Sequence, residues 1–170
     1  GNNTGSYALD LAYSGAPPHV GAEAIARSDG TGSQCANVHP NTPCTEVAKG
    51  GQRYFIFPAL GTCCRCCSWA NGCGPVEASW AANATLVGAR SIGGRTCDDF
   101  KIMGYSENHV YQAQDASAQL CGLDNGGWDV MLYRNTSAAV PPALFDVPAG
   151  CAESCGCPVQ PSPVGHCDCD

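Results

Sequence analysis

The chain has 170 residues, of which 44% are hydrophobic and 14% charged, and a net charge of −7. That is long enough for one domain with a real core and too apolar for a disordered chain. Eight basic residues against fifteen acidic ones argue against nucleic acid as a partner, because its phosphates are bound by Lys and Arg.

Residues 6–13 alternate, with Tyr7, Leu9, Leu11 and Tyr13 on one face and smaller or polar residues on the other, which predicts a half-buried strand. Residues 1–5 form an N-terminal arm with nothing of their own to pack. The prolines at 17 and 18 turn the chain, and a weaker strand is expected over 20–27. Gly, Asn and Pro punctuate the stretch to residue 43, where a local Cys35–Cys44 bridge closes a loop unless either cysteine is drawn elsewhere. Residues 53–57, RYFIF, are β-branched and aromatic and predict a central strand.

The next stretch, GTCCRCCSWANGCG at 61–74, holds Cys63, Cys64, Cys66, Cys67 and Cys73, five of the fourteen cysteines. Neighbouring Cα atoms are about 3.8 Å apart, too close for an unstrained disulfide. Neither Cys63–Cys64 nor Cys66–Cys67 should therefore form, and the segment becomes a hub whose bridges go elsewhere. If it is extended, Cys64 and Cys66 point to one face and Cys63 and Cys67 to the other, so that one strand staples both faces of a sheet.

Pro75 begins an expected short helix near 75–82. Residues 85–92, Gly93-Gly94 and residues 95–103 predict a hairpin with a two-residue turn, Phe100 and Ile102 facing in, Asp99 and Lys101 facing out. Two more strands are expected at 109–114 and 127–134. After Pro141-Pro142 and residues 143–147 comes a Cys/Pro-rich tail, 151–170, that only disulfides could order. The fold expected is all-β: an antiparallel meander of seven or eight strands forming a curved sheet or half-open barrel, heavily disulfide-bonded. The domain reading is a single β domain over 1–150 followed by the stapled tail 151–170.

The remaining cysteines, Cys97, Cys121, Cys151, Cys155, Cys157, Cys167 and Cys169, bring the total to an even fourteen, which permits seven bridges. Metal is the alternative use of cysteine, but the spacings CC, CxCC, CGC and CDC do not make paired C-x-x-C units, and no metal or other cofactor is expected. Three N-glycosylation sequons begin at Asn2, Asn83 and Asn135, so N-linked glycans are expected. With the cysteines they point to an extracellular, secreted protein. Gly1 follows no basic, apolar leader, as expected once a signal peptide has been removed. No apolar run approaches the roughly eighteen residues of a membrane span.

None of the common phosphate-binding, dinucleotide, nucleophile-elbow or zinc-protease motifs occurs. His19, His39, His109 and His166 are scattered, and Asp98 and Asp99 point to opposite faces of their strand, which prevents them acting as a glycosidase pair. Asp124 to Asp129 is rich in oxygen donors but lacks the spacing of a calcium loop. The chain is therefore read as a non-enzyme.

The 61–74 block, Trp80 with Asn83-Ala84-Thr85 and Gly88, and the Leu144-Phe145-Asp146-Val147-Pro148…Cys151 ending resemble secreted cysteine-rich proteins of protists and algae. More distantly they resemble ependymin-related proteins. The resemblance covers about half the chain, and its ependymin side implies a curved sheet around an apolar pocket. The function expected is a structural subunit of an extracellular filament, coat or matrix, binding copies of itself through terminal segments or strand edges. Tyr7, Leu9, Leu11 and Tyr13 mark the candidate assembly strand. The alternative is a module that holds a lipid or other apolar ligand among Phe55, Phe57, Trp128 and Leu132.

Overall fold

The structure is a computed structural model and describes residues 5–10, 21–27, 34–77, 79–103, 107–125, 130–133, 140–151 and 153–155. The fold is all-β and antiparallel, as expected, but its ten described strands make two five-stranded meanders. They belong to two compact units, one comprising Gly1–Ala78 with Val140–Asp170 and the other Ser79–Ala139.

In the first unit, β1 (Gly5–Asp10), β2 (Ala22–Arg27), β3 (Cys44–Lys49), β4 (Gln52–Phe57) and β5 (Thr62–Ser68) follow one another in sheet order. Tyr7, Ile25, Glu46, Phe55 and Cys64 lie in line across the sheet. Both faces are covered. On one, Phe55 and Phe57 pack with Cys35, Cys44, Cys66, Cys67 and Cys73, all buried. On the other, Ala8, Ala22, Ala24 and Val47 pack beneath Phe145, with Val140 and Val147 alongside. β1 therefore buries its second face as well as the expected one. Ala8 is buried because residues 140–147 cover its face, while Tyr7 lies on the face of the cysteines.

β3 was not anticipated, since Glu46 and Lys49 interrupt its apolar pattern. The meander stops at β5 for a physical reason: its outer edge is already occupied. The Arg65 amide donates to the Glu153 carbonyl (2.7 Å) and the Cys155 amide to the Arg65 carbonyl (2.9 Å), forming a parallel bridge between Arg65 and Ser154. The chain then leaves through a 3-10 turn at Trp69–Asn71.

The second unit runs β6 (Thr85–Ile92), β7 (Arg95–Met103), β8 (Glu107–Ala113), β9 (Leu120–Asp124) and β10 (Val130–Leu132), again in sheet order. The expected β6–β7 hairpin is present, with Gly93 and Gly94 at φ 60° and 83°, a conformation that suits glycine in a two-residue turn. The expected helix near 75–82 is instead a single 3-10 turn, Trp80–Asn83. Trp80 meets Phe100 edge to face at 5.5 Å, an aromatic contact that anchors so short a turn. One sheet face holds Ile92, Cys97, Tyr111, Ala113 and Cys121. Val110 and Leu123 are buried on the other.

Candidate functional site

The cysteine hub is β5 itself. Cys63 bonds Cys151 and Cys64 bonds Cys155, with Cα–Cα distances of 4.9 and 4.8 Å across 88 and 91 residues of sequence. Adjacent side chains of a strand point to opposite faces, so these neighbours fasten Cys151 and Cys155 to opposite sides of β5. Cys67 departs from simple alternation. The pairing of β4 with β5 shifts register between Arg53 and Tyr54, which leaves Cys66 as an extra residue and rotates Cys67 onto the face of Cys64. There Cys67 bonds Cys73 (Cα–Cα 5.9 Å), so this bridge stays inside the hub. Cys66 is also disulfide-bonded. Cys35–Cys44 (6.4 Å) is the local bridge, and Cys97–Cys121 (6.5 Å) joins β7 to β9. Cys157, Cys167 and Cys169 lie outside the described residues.

Beside the cysteine layer lies a buried ionic cluster that the sequence reading missed. Arg53 reaches past Ala48, its small cross-strand neighbour, to Glu23. Its Nη2 lies 2.8 Å from Glu23 Oε1 and its Nη1 3.0 Å from Glu46 Oε2. Its Nε donates to the Cys73 carbonyl (3.0 Å) and Nη2 also to that of Gly74 (3.3 Å), while the Tyr7 hydroxyl donates to Glu23 Oε2 (2.9 Å). Burial pulls the Arg53 pKa down, but attraction to Glu23 and Glu46 outweighs it and the pKa ends raised. The cluster ties β1, β2, β3 and β4 to the segment after β5. The available clue was a Glu flanked by apolar or small residues in each of two strands, Ala22 and Ala24 beside Glu23, Thr45 and Val47 beside Glu46.

The second unit has its own polar cluster on the face of Tyr111. Asp99, expected to face solvent, is buried. It receives Arg90 Nη2 at 2.8 Å and lies 2.5 Å from His109 Nδ1. The Arg90 guanidinium sits over the Tyr111 ring, 4.5 Å from its centroid, and the Tyr111 hydroxyl donates to Asp124 (3.4 Å). Burial raises the Tyr111 pKa above the usual phenol value, against the lowering effect of Arg90. Arg90 thereby ties the outermost strand β6 to β7 and β8.

The sheet edges differ. The β5 edge is closed by residues 153–155, and among the described residues β10 spans only Val130–Leu132. Among the described residues no strand pairs with the outer edge of β1 or of β6. β6 is eight residues long and seven are exposed, with Leu86 57% and Val87 51% accessible. Its pairing with β7 shifts register between Leu86 and Gly88. β1 pairs with β2 without interruption over six residues, and neither Lys nor Pro occurs in it.

Of the expected assembly residues, Tyr7 and Leu9 lie on β1, while Leu11 and Tyr13 fall outside the described residues. Of the expected apolar pocket, Phe55 and Phe57 are fully buried in the core of the first unit. Leu132, in β10 of the second unit, is 53% exposed, and Trp128 falls outside the described residues. A cleft of about 250 Å³ does exist in the first unit, lined mainly by Ala8, Ala24, Ala26, Ile56, Ala143 and Leu144. Cys35, Cys44 and Glu46 bring three donor atoms together, but the two sulfurs are joined in a disulfide and offer no thiolate. Asn83 is exposed at the end of its turn, and Asn2 and Asn135 lie outside the described residues. No helix among the described residues is long and apolar enough to cross a membrane. No protein-family model, curated protein or solved structure matches the chain.

Proposed function

We propose that the protein is a non-enzymatic structural subunit of an extracellular filament, coat or matrix, and that its first contact is antiparallel pairing of β1 with β1 of a second copy. The observation that carries this reading is the contrast between edges. Natural sheets guard an edge with bulges, charges, proline, shortness or a cover. β5 is covered, β10 is short among the described residues and β6 carries a register shift and Arg90, whereas β1 has an unbroken six-residue register and only Asp10 as a charge. The disulfides support an oxidising compartment and a subunit whose frame holds its shape at low concentration. A β1–β1 contact is two-fold and closes on itself, so extension into a filament or coat needs a second surface.

An apolar ligand in the first unit is the other reading, favoured by the alanine-lined cleft near Leu144. At about 250 Å³ the cleft is below the usual range for ligand pockets, roughly 300–1,000 Å³, so self-pairing is preferred.

Light scattering of the full oxidised chain over a concentration series tests the pairing. The expected result is a roughly two-fold rise in mass that Leu9→Lys abolishes while far-UV circular dichroism is unchanged. A single monomer mass at every concentration, or a dimer indifferent to Leu9→Lys, would count against β1 as the contact.

A further inference from the structure

We propose that Asn83 is an N-glycosylation site whose sugar guards the β6 edge, leaving β1 as the edge through which copies pair. The second clause rests on the function proposed above; the first does not. The sequon Asn83-Ala84-Thr85 straddles the junction between the 3-10 turn and β6. Asn83 and Thr85 are both exposed, and Ala84 between them is extended at φ −82°, ψ 146°. A sugar on Asn83 therefore projects from the surface without disturbing the fold.

The same junction opens the most hazardous edge of the second unit. β6 offers eight residues of backbone with no outer partner among the described residues, and Leu86 and Val87 on it are more than half exposed. An apolar edge of this length is a template for aggregation. Leu86 is three residues beyond Asn83, roughly 10 Å along an extended chain, within the sweep of a branched, hydrated oligosaccharide. A strand approaching β6 at that end must displace the sugar. The register shift and Arg90 guard the middle of the strand, and the glycan guards its start.

In the modification, Asn83 Nδ2 loses one proton and forms a bond to the anomeric carbon of an oligosaccharide. The donor is a polyprenyl-pyrophosphate-linked sugar: its bond from anomeric carbon to phosphate oxygen breaks, and the pyrophosphate leaves with the electron pair. No oxidant or reductant is needed.

The test uses the full chain secreted from a eukaryotic host. Peptide mapping should find Asn83 glycosylated, with enzymatic release of the sugar converting it to Asp. Association is then compared by light scattering in the Leu9→Lys background, where β1 pairing is removed. The glycosylated chain should be monomeric; Asn83→Gln and Thr85→Ala should associate; Thr85→Ser, which keeps the sequon, should stay monomeric. Adding Val87→Lys to Asn83→Gln should restore the monomer. If Asn83→Gln is not secreted, trimming the sugar of the folded glycoprotein to its first residue with an endoglycosidase provides the comparison without creating a charge at position 83. An unmodified Asn83, or a modified one whose removal leaves association unchanged, overturns the proposal. Failure of Leu9→Lys to alter pairing in the glycosylated chain counts against the β1 contact alone.

Discussion

Cys63 and Cys64 are neighbours on β5 whose side chains leave the strand on opposite faces, one bonded to Cys151 and the other to Cys155. Two disulfides from adjacent residues thus straddle the strand and hold residues 153–155 along its edge. Covalent bonds do here what a sixth strand would do elsewhere.

Replacing Cys64 and Cys155 together by Ser leaves Cys63–Cys151 to close the long loop and releases only the short one between the two bridges. The expected loss of unfolding free energy in guanidinium is therefore at the low end for a disulfide, about 2 kcal/mol. Because the Arg65 amide bonds the Glu153 carbonyl, its hydrogen exchange should also accelerate well beyond that of β3. Unchanged protection at Arg65 would show that the tail holds the edge without the staple.

Arg53→Met leaves Glu23 and Glu46 buried without their shared cation, a change expected to cost about 3–5 kcal/mol. Adding Glu23→Gln and Glu46→Gln should recover a large part of that loss, because the neutral amides are cheaper to bury. The measurement is a set of urea unfolding curves arranged as a mutant cycle. Strict additivity would contradict a coupled cluster.

The hub's two-sidedness could be read from sequence, since alternation along a strand is a local property and adjacent cysteines cannot bond each other. The position of Cys67 could not, because the register shift opposite Arg53 belongs to the pairing of two strands and leaves no mark in one. The ionic cluster was hidden for a related reason. Residues 53–57 were legible as a strand, but Glu46 and Lys49 break the apolar pattern of residues 44–49, so the partner strand and its carboxylate went unseen. Asp99 was misplaced because alternation assumes one wet face, whereas Arg90, His109 and Tyr111 cover its side. The division into two units depends on what occupies the outer edge of β5, a contact between residues about ninety apart.

Tyr111 gives a pH signature. Its folded pKa is raised, by burial first, above the ordinary value of 10.0. A raised phenol pKa means the folded state holds its proton more tightly than the unfolded one. Its contribution is therefore complete below about pH 10 and is lost as pH rises from there through the folded value. Tyr111→Phe should flatten this alkaline limb of a stability-versus-pH curve while leaving the neutral region nearly level. An identical slope in both proteins would refute the assignment.

Gly122 on β9 packs against β10 without room for a side chain. A Cβ there would collide with the Met131 carbonyl oxygen and meet Leu132 Cδ2 at 3.1 Å and Tyr111 Cδ2 at 3.2 Å. Backbone cannot yield as a flexible side chain would, so Gly122→Ala should destabilise by about 1–3 kcal/mol and loosen β10, seen as faster amide exchange at Met131 to Tyr133. A neutral thermal midpoint would contradict this packing.

Residue-resolved amide hydrogen exchange of β1, at one low and one high concentration of the full oxidised chain, tests self-pairing most directly. In an antiparallel edge strand alternate amides point away from the sheet. The account predicts that this outward half of the Gly5–Asp10 amides gains protection at high concentration while the inward half, already bonded to β2, changes little. Equal exchange at both concentrations throughout β1 would contradict it.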